Sequence, residues 1–135
     1  MEEKYIRWKP SPIITDDYLV ETIIYRPEET IVILSIIEPE KKLIKLNFKD
    51  SVVLHRVCDE GVRQDLYKIL ENTFHERNHI KYGGRYLVEN SKLVKWLVKE
   101  SGCLDGSELK HFILMGDDDI FDVVSHSDPD IEVVK

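Results

Sequence analysis

The sequence contains few cysteines, and their spacing predicts neither a metal site nor a disulfide framework. Cys58 and Cys103 are the only two, and neither belongs to a C-x-x-C pair. Isolated cysteines favour free thiols in a reducing compartment. No apolar run approaches the roughly 20 residues of a membrane helix, and the charged start MEEKYIRWKP lacks the apolar core of a secretion signal. The sequence therefore predicts a cytoplasmic protein.

Motifs of several enzyme classes are also missing from the sequence. It has no Walker phosphate loop, no dinucleotide-binding glycine motif and no G-x-S-x-G motif. Arginine and lysine alternate with acidic residues, whereas nucleic-acid-binding proteins gather basic and aromatic residues on one face. These absences argue against nucleotide-dependent enzymes and nucleic-acid-binding proteins.

Negative charge is concentrated near the end of the chain. Residues 105–135 contain nine acidic residues and two lysines, which accounts for the whole net charge of −7. Such a segment repels nucleic-acid phosphates and anionic membranes, and it attracts a basic protein surface. A solvated edge that only confers solubility is the alternative. The residues predicted to bind a basic partner are Asp117, Asp118, Asp119 and Asp122.

Hydrophobic periodicity predicts an α+β fold in which an antiparallel sheet of six or seven strands carries two packed helices. Strands in the first half of the chain are separated by short turns, and this favours an antiparallel meander because parallel pairing needs long crossovers. The length predicts a single domain over residues 1–135. The predicted strands are 18–25, 30–37, 43–48, 52–58, 85–88, 109–115 and 120–124, with a further edge strand considered at 131–134.

Two segments have the periodicity of amphipathic helices. The first is predicted over residues 60–78, and the second begins after the capping residue Ser91 and ends near Gly102. The apolar stripe of the first helix is Val62, Leu66, Ile69, Leu70 and Phe74. The buried side of the second helix is predicted to contain Leu93, Val94, Leu97 and Val98.

The stretch HERNH matches H-E-x-x-H, in which two histidines one helical turn apart bind zinc and the glutamate acts as general base. On this interpretation His75 and His79 bind the metal and Glu76 is the catalytic base. Glu100 supplies the third ligand, with Glu89 as the other choice. The protein would then be a small zinc-dependent hydrolase.

The phase of the first helix argues against this zinc site. If the helix continues at about 100° per residue, His75 and His79 lie on the side opposite the apolar stripe. There they would complement the negative end of the helix dipole. We therefore expect a solvated helix end, with no metal and no cofactor, and we keep zinc as the alternative.

Three further side chains are candidates for a site or an interface. His55 and His111 lie in predicted strands, and either could face a pocket together with Asp122, although a hydrogen-bonded or exposed sheet histidine is preferred. Trp96 lies at the border of the second helix's apolar stripe, where an aromatic residue can serve an interface. Coverage of Trp96 by the first strand is the preferred alternative.

Three stretches of the chain carry a resemblance to known proteins: CDEGVRQDLYKIL, RYLVENSKLVKWLVKES and LKHFILMGDDDIFDVVS. In this order they resemble a class of small bacterial α+β domains of unassigned function, over roughly residues 45–125. The resemblance implies an intracellular bacterial protein and carries over no catalytic residue. Some small acidic domains of similar build are immunity proteins, which neutralise a toxin by binding it, and this is an analogy of fold and charge.

The sequence as a whole predicts a cytoplasmic, non-catalytic protein-binding module, immunity-like or regulatory. It is expected to use its acidic C-terminal face against a basic partner. The small zinc hydrolase is one alternative. The other is a homo-oligomeric structural protein in which an edge strand pairs with its copy.

Overall fold

The computed structural model describes residues 2–15, 18–37, 39–49, 52–74, 84–116 and 119–134. Within these ranges, nine strands form two antiparallel sheets, and two α-helices pack on one of them. The prediction of one sheet with six or seven strands is therefore wrong. The strands are β1 (Lys4–Arg7), β2 (Tyr18–Arg26), β3 (Glu29–Ile36), β4 (Lys42–Lys49), β5 (Val52–Asp59), β6 (Arg85–Glu89), β7 (Lys110–Met115), β8 (Asp119–Ser125) and β9 (Asp130–Val133). The helices are α1 (Gln64–Phe74) and α2 (Lys92–Ser101).

The strands are divided between sheet 1, with the order β1-β6-β7-β8-β5, and sheet 2, with the order β2-β3-β4-β9. The predicted meander is confirmed for β2, β3 and β4, but it ends there. β4 next pairs with β9 at the far end of the chain, while β5 pairs with β8. Two strands that are neighbours in the sequence thus belong to different sheets. The predicted edge strand near the C-terminus exists and lies in sheet 2.

Sheet 1 is the middle of three layers, which is why β7 and β8 are apolar on both faces. Phe112, Leu114 and Val123 face sheet 2 and join its side chains in the main core. Ile113 and Ile120 face the opposite way, into the core beneath α1. A single sheet with helices on one face would leave its other face to water and would show polar residues there. β7 and β8 are buried on both faces because sheet 2 covers the face that the helices leave open.

The predicted second helix is confirmed as α2. Ser91 caps it by accepting a hydrogen bond from the Val94 N–H at 3.1 Å, and Gly102 ends it with a left-handed φ of 71°. The first helix begins later than predicted, at Gln64, because Glu60–Val62 forms a 3₁₀ turn. Val62, which was predicted to lie on the apolar stripe, is 73% exposed. The part of the prediction that follows Phe74 lies outside the described residues.

Both cysteines are free, as the sequence predicted. Across the ranges given above, no helix has the length and the apolar content that crossing a membrane requires. The cytoplasmic location stays a prediction.

The buried cation Arg85 ties the loop between β1 and β2 to sheet 1. Its guanidinium donates to the carbonyl oxygens of Thr15 at 2.8 Å, Ile14 at 3.2 Å and Trp8 at 3.3 Å. It also lies 5.4 Å from the ring centroid of Tyr18. Since each carbonyl belongs to the same loop, one side chain fixes the path of the chain from sheet 1 to sheet 2.

We expect Arg85→Met to lower the free energy of unfolding by about 3 kcal/mol, because carbonyl groups that now accept from a charged donor would lose it. Urea unfolding followed by circular dichroism measures this change. Arg26→Met is the matched control. Arg26 is 57% exposed and bridges Glu29 at the surface, so its loss should cost less than about 1 kcal/mol. Equal effects of the two substitutions would contradict the role given to Arg85.

Candidate functional site

The centre of the candidate site is Asp122, whose side chain is fully buried in the middle of β8. Side chains alternate between the faces of a strand, so Asp122 shares its face with Ile120 and Val124, which both belong to cores beneath the helices. The register also sets Arg56 of β5 opposite Asp122. A carboxylate therefore lies between sheet 1 and the helices, where an unpaired charge would be costly.

Three side chains compensate the charge of Asp122. Its Oδ1 accepts from His111 Nε2 at 2.6 Å, and its Oδ2 accepts from Arg56 Nε at 3.0 Å and from Arg63 Nη1. Burial alone would raise the pKa of Asp122, but the hydrogen bond from His111, the charge of Arg63 and the hydrogen bond from Arg56 together hold that pKa below its usual range. Asp122 is therefore a carboxylate at neutral pH.

The hydrogen-bond chain continues from Asp122 through His111 to Ser91. A carboxylate can only accept, so His111 Nε2 carries a proton. In a neutral imidazole the other nitrogen, Nδ1, then accepts, and it lies 2.8 Å from Ser91 Oγ. With this tautomer Ser91 donates to His111, and in either case it accepts from the Val94 N–H. A Ser–His–Asp chain links the start of α2 to the centre of sheet 1.

One cavity beside this chain is a cleft of about 550 Å³, here called the arginine cleft. Arg56, Arg63 and Lys92 bring three positive charges to its wall, and Glu3 brings one negative charge. Trp96 stands at the cleft with 52% of its surface exposed. The described residues that line it are Glu3, Tyr5, Leu54, Arg56, Arg63, Lys92, Leu93, Trp96 and His111.

Glu3 shapes one side of the arginine cleft. Its Oε2 accepts from the Lys92 N–H at 2.8 Å, and its Oε1 accepts from the Tyr5 hydroxyl at 3.0 Å. The carboxylate therefore lies at the positive end of the α2 dipole, where negative charge is stabilised. Partial burial, followed by the charge of Glu3, raises the pKa of Tyr5 well above its usual range, so this tyrosine stays neutral.

A second cavity, of about 750 Å³, lies on the other side of α2 and is here called the α2 groove. Its wall combines apolar residues, Val88, Val94, Val98 and Leu109 among them, with the charged residues Glu89, Lys95, Lys99 and Lys110. Ser91 and His111 also line it. His111 is therefore shared by the two cavities, with the groove and the arginine cleft separated by the helix that Ser91 caps.

The acidic residues predicted to bind a partner lie in different environments. Asp122 is buried and is not available to a partner at the surface. Asp119 is exposed, and its carbonyl oxygen accepts from the Gly116 N–H at 2.8 Å, which confirms the predicted hairpin. Asp117 and Asp118 lie outside the described residues.

Other acidic residues of the C-terminal segment form ion pairs with lysines at the surface. The nitrogen–oxygen distances are 3.2, 3.2 and 3.3 Å. These pairs partly neutralise the segment, so the acidic excess in the sequence does not become an equally negative surface. The pairs are Asp128–Lys110, Asp130–Lys49 and Glu132–Lys45.

The zinc hypothesis depends on residues that the structure does not describe. His75, Glu76 and His79 all lie in the gap between 74 and 84. Glu100 is described and is exposed on α2, and Glu89 is exposed at the end of β6. Among the described residues, no group of three His, Cys, Asp or Glu side chains converges in a way that could hold a metal ion. The zinc site stays a prediction.

The remaining candidates from the sequence are placed clearly. His111 does meet Asp122, and it is a buried, hydrogen-bonded sheet histidine. His55 instead lies with its ring 5.5 Å from that of Tyr25. The preference for a covered Trp96 is wrong, because 52% of its surface is exposed.

Sequence reasoning missed the roles of Arg56, Arg63 and Ser91 in this network. A usable signal was present for the other two members. Asp122 alternates with Ile120 and Val124, and His111 alternates with Ile113 and Met115, so the period of a strand places each polar side chain on an apolar face. Comparison of the chain with models of protein families, with curated proteins and with solved structures found no match.

We expect Asp122→Asn to destabilise the protein by about 3–5 kcal/mol at pH 7, because Arg56, Arg63 and His111 would lose a shared negative charge and one of its two acceptor oxygens. The pKa of Asp122 is lower in the folded chain than the value of about 3.9 for an unfolded chain. The stabilisation is therefore complete above that value and is lost as the pH falls through the folded pKa.

Urea unfolding at a series of pH values tests this expectation. The difference between the wild-type protein and Asp122→Asn should be constant near neutrality and should shrink below about pH 4. Asp128→Asn is the control, because Asp128 is 61% exposed in its ion pair with Lys110 and should contribute less than about 1 kcal/mol. A pH-independent difference, or one no larger than the control's, would refute the compensated-carboxylate account.

Proposed function

We propose that the protein is a protein-binding module and that the arginine cleft is its principal contact surface. The observation that carries this proposal is Trp96, whose indole is half exposed beside a concave site. Tryptophan, tyrosine and arginine contribute most to the binding energy of protein interfaces. They combine a large contact area with polar groups that can still find partners. All three residue types line this cleft.

The charge of the cleft indicates the chemistry of the partner. Arg56 keeps 43% of its side chain exposed although it donates to Asp122. A guanidinium has five N–H donors, so further donors remain for an incoming acceptor. Lys92, exposed at the start of α2, adds a second accessible cation. The expected occupant is a partner segment with an acidic side chain next to an apolar one, the acid on Arg56 and Lys92 and the apolar group on Trp96.

The acidic turn is a second candidate contact surface for the same function. Asp119 is exposed at the end of the β7–β8 hairpin, and a basic partner would be attracted to it together with Asp117 and Asp118. Asp122 does not belong to this surface, since it is buried. The surface ion pairs of the C-terminal segment reduce the charge available to such a partner. The cleft therefore has more support than the acidic turn.

Self-association through an edge strand has weaker support from the geometry. The long edges of the two sheets are β2, with nine residues, and β5, with eight. Each contains a register shift, between Val20 and Thr22 in β2 and between Val52 and Leu54 in β5. Bulges of this kind hinder pairing with a second copy.

Selection of binders from a random peptide library tests the proposal. We expect the selected peptides to contain an acidic residue close to an aromatic or aliphatic one. Trp96→Ala should weaken their binding by about 30-fold, as removal of an interface hot spot does, and Lys92→Glu should weaken it by at least about fivefold. Both substitutions leave the buried carboxylate untouched. Isothermal titration calorimetry gives the affinities.

Lys68→Glu is the matched control, since Lys68 is exposed on α1 and does not line the cleft. It should leave the affinity within about twofold. Selection of basic peptides that bind equally well to Trp96→Ala, and lose binding when Asp117, Asp118 and Asp119 are changed to lysine, would transfer the function to the acidic turn. Asp122 is left out of that variant because it is buried, so a lysine there would disrupt the core instead of testing binding.

A further inference from the structure

We propose that Ser91 is a reactive nucleophile activated by His111, and that the α2 groove accepts an acyl ester or thioester with an apolar chain. This site lies on the other side of α2 from the arginine cleft. The inference does not depend on the protein-binding function, because it uses different lining residues and a different kind of ligand. Of the residues that the structure describes, only His111 lines both cavities.

The geometry of the three side chains carries the proposal. Ser91 Oγ lies 2.8 Å from His111 Nδ1, and His111 Nε2 lies 2.6 Å from Asp122 Oδ1. A serine is a weak nucleophile until an adjacent base takes its proton, and the base works best when a third group holds its tautomer. His111 is the base here and Asp122 is its positioning residue. Ser91, His111 and Asp122 are 5%, 4% and 0% exposed, so little bulk water competes for these bonds.

The local fold presents the serine at a tight junction between strand and helix. β6 ends at Glu89, Asn90 has a left-handed φ of 57°, and Ser91 then caps α2. Serine hydrolases of the α/β-hydrolase fold also place their nucleophile between a strand and a helix, although there the strained residue is the serine itself. In this chain Asn90 takes the left-handed position, which asparagine tolerates, and no G-x-S-x-G motif is needed.

The α2 groove supplies room for a substrate beside Ser91. Its volume of about 750 Å³ is within the usual range for small-molecule sites. Apolar residues such as Val94 and Leu109 line the groove beside Ser91 and His111, and three lysines and one glutamate add charged groups to the lining. This combination favours a substrate whose acyl chain is apolar and whose reactive carbonyl lies against the serine.

The reaction balances with water as the only co-reactant. Ser91 Oγ bonds to the acyl carbon while its proton passes to His111 Nδ1, and that proton then leaves with the alcohol or thiol. Water next attacks the acyl-serine, again giving a proton to Nδ1, and the carboxylic acid departs as Ser91 regains its proton.

Two features limit the expected rate. The Val94 N–H donates to Ser91 Oγ, which holds the oxygen in place but draws electron density from it. Arg56 and Arg63 share the charge of Asp122, so the carboxylate stabilises an imidazolium less than an unshared one would. The site should therefore react with activated acyl compounds faster than with amides.

Labelling with a long-chain fluorophosphonate tests the proposal, since the serine oxygen displaces fluoride and the adduct is stable. We expect one adduct on the folded wild-type protein by intact mass, located at Ser91 by peptide mapping. Ser91→Ala should give no adduct at that position. His111→Gln should slow labelling by at least about 100-fold, the usual contribution of a general base. Ser107→Ala is the control and should label at the wild-type rate, because Ser107 bonds to Asp105 and to no histidine.

A folded wild-type protein that gives no Ser91 adduct with excess reagent would overturn the proposal, and this result needs no variant. Equal labelling rates for wild type and His111→Gln would overturn the role of His111.

Release of p-nitrophenol from its octanoate and acetate esters tests the groove. The octanoate should acylate Ser91 at least about tenfold faster, because the groove would bury several of its methylene groups. Equal rates would refute the assignment of the groove.

Discussion

The buried carboxylate of Asp122 is the constraint on which the helical side of the molecule depends. It comes from β8, and it holds His111 from β7, Arg56 from β5 and Arg63 just before α1. Through His111 the same chain reaches Ser91, which caps α2. A charge without partners in this layer would be strongly destabilising, whereas a fully compensated one fixes the relative positions of everything that contacts it. Two strands of sheet 1 that are not hydrogen-bonded to each other, β5 and β7, are thereby joined through one side chain.

This network also places the two cavities with respect to each other. Arg56 and Arg63 are held at the arginine cleft by their bonds to Asp122, and Ser91 is held at the α2 groove by its bond to His111. We propose a partner segment as the occupant of the cleft and an acyl chain as the occupant of the groove. Because α2 separates the two cavities, a substitution on one face of the helix can alter one cavity without touching the other. Trp96 lines the arginine cleft alone, and Val98 lines the α2 groove alone.

The sequence predicted local features well and the pairing of distant strands poorly. Ser91 and Gly102 determine the ends of α2 through bonds to residues within four positions, so α2 was readable from local spacing. The same holds for the β7–β8 hairpin. The partner of β5 was not readable, because Arg56 meets Asp122 across 66 positions of the chain. Membership of a strand in one sheet or the other is decided by such distant contacts, which leave no local pattern.

The candidate site is the part of the molecule that the sequence predicts least well. The excess of acidic residues near the end of the chain does not show which face of its strand each acidic side chain occupies. By its position in the sequence, Asp122 belongs with Asp117, Asp118 and Asp119 to a predicted acidic surface. Because Asp122 alternates with Ile120 and Val124, it lies on a buried face of β8. Its partners there are far from it in the sequence. Arg56 and Arg63 carry no motif that marks them as partners of a buried acid, so only the folded chain reveals them.

The tautomer of His111, measured by ¹⁵N NMR of the imidazole ring, tests the central claim most directly. The account predicts a proton on Nε2 that exchanges slowly with solvent, because it is donated to the buried Asp122, and an unprotonated Nδ1 that accepts from Ser91. A proton on Nδ1 with a bare Nε2 would contradict the account, and so would an Nε2 proton that exchanges as fast as that of a histidine in an unfolded chain.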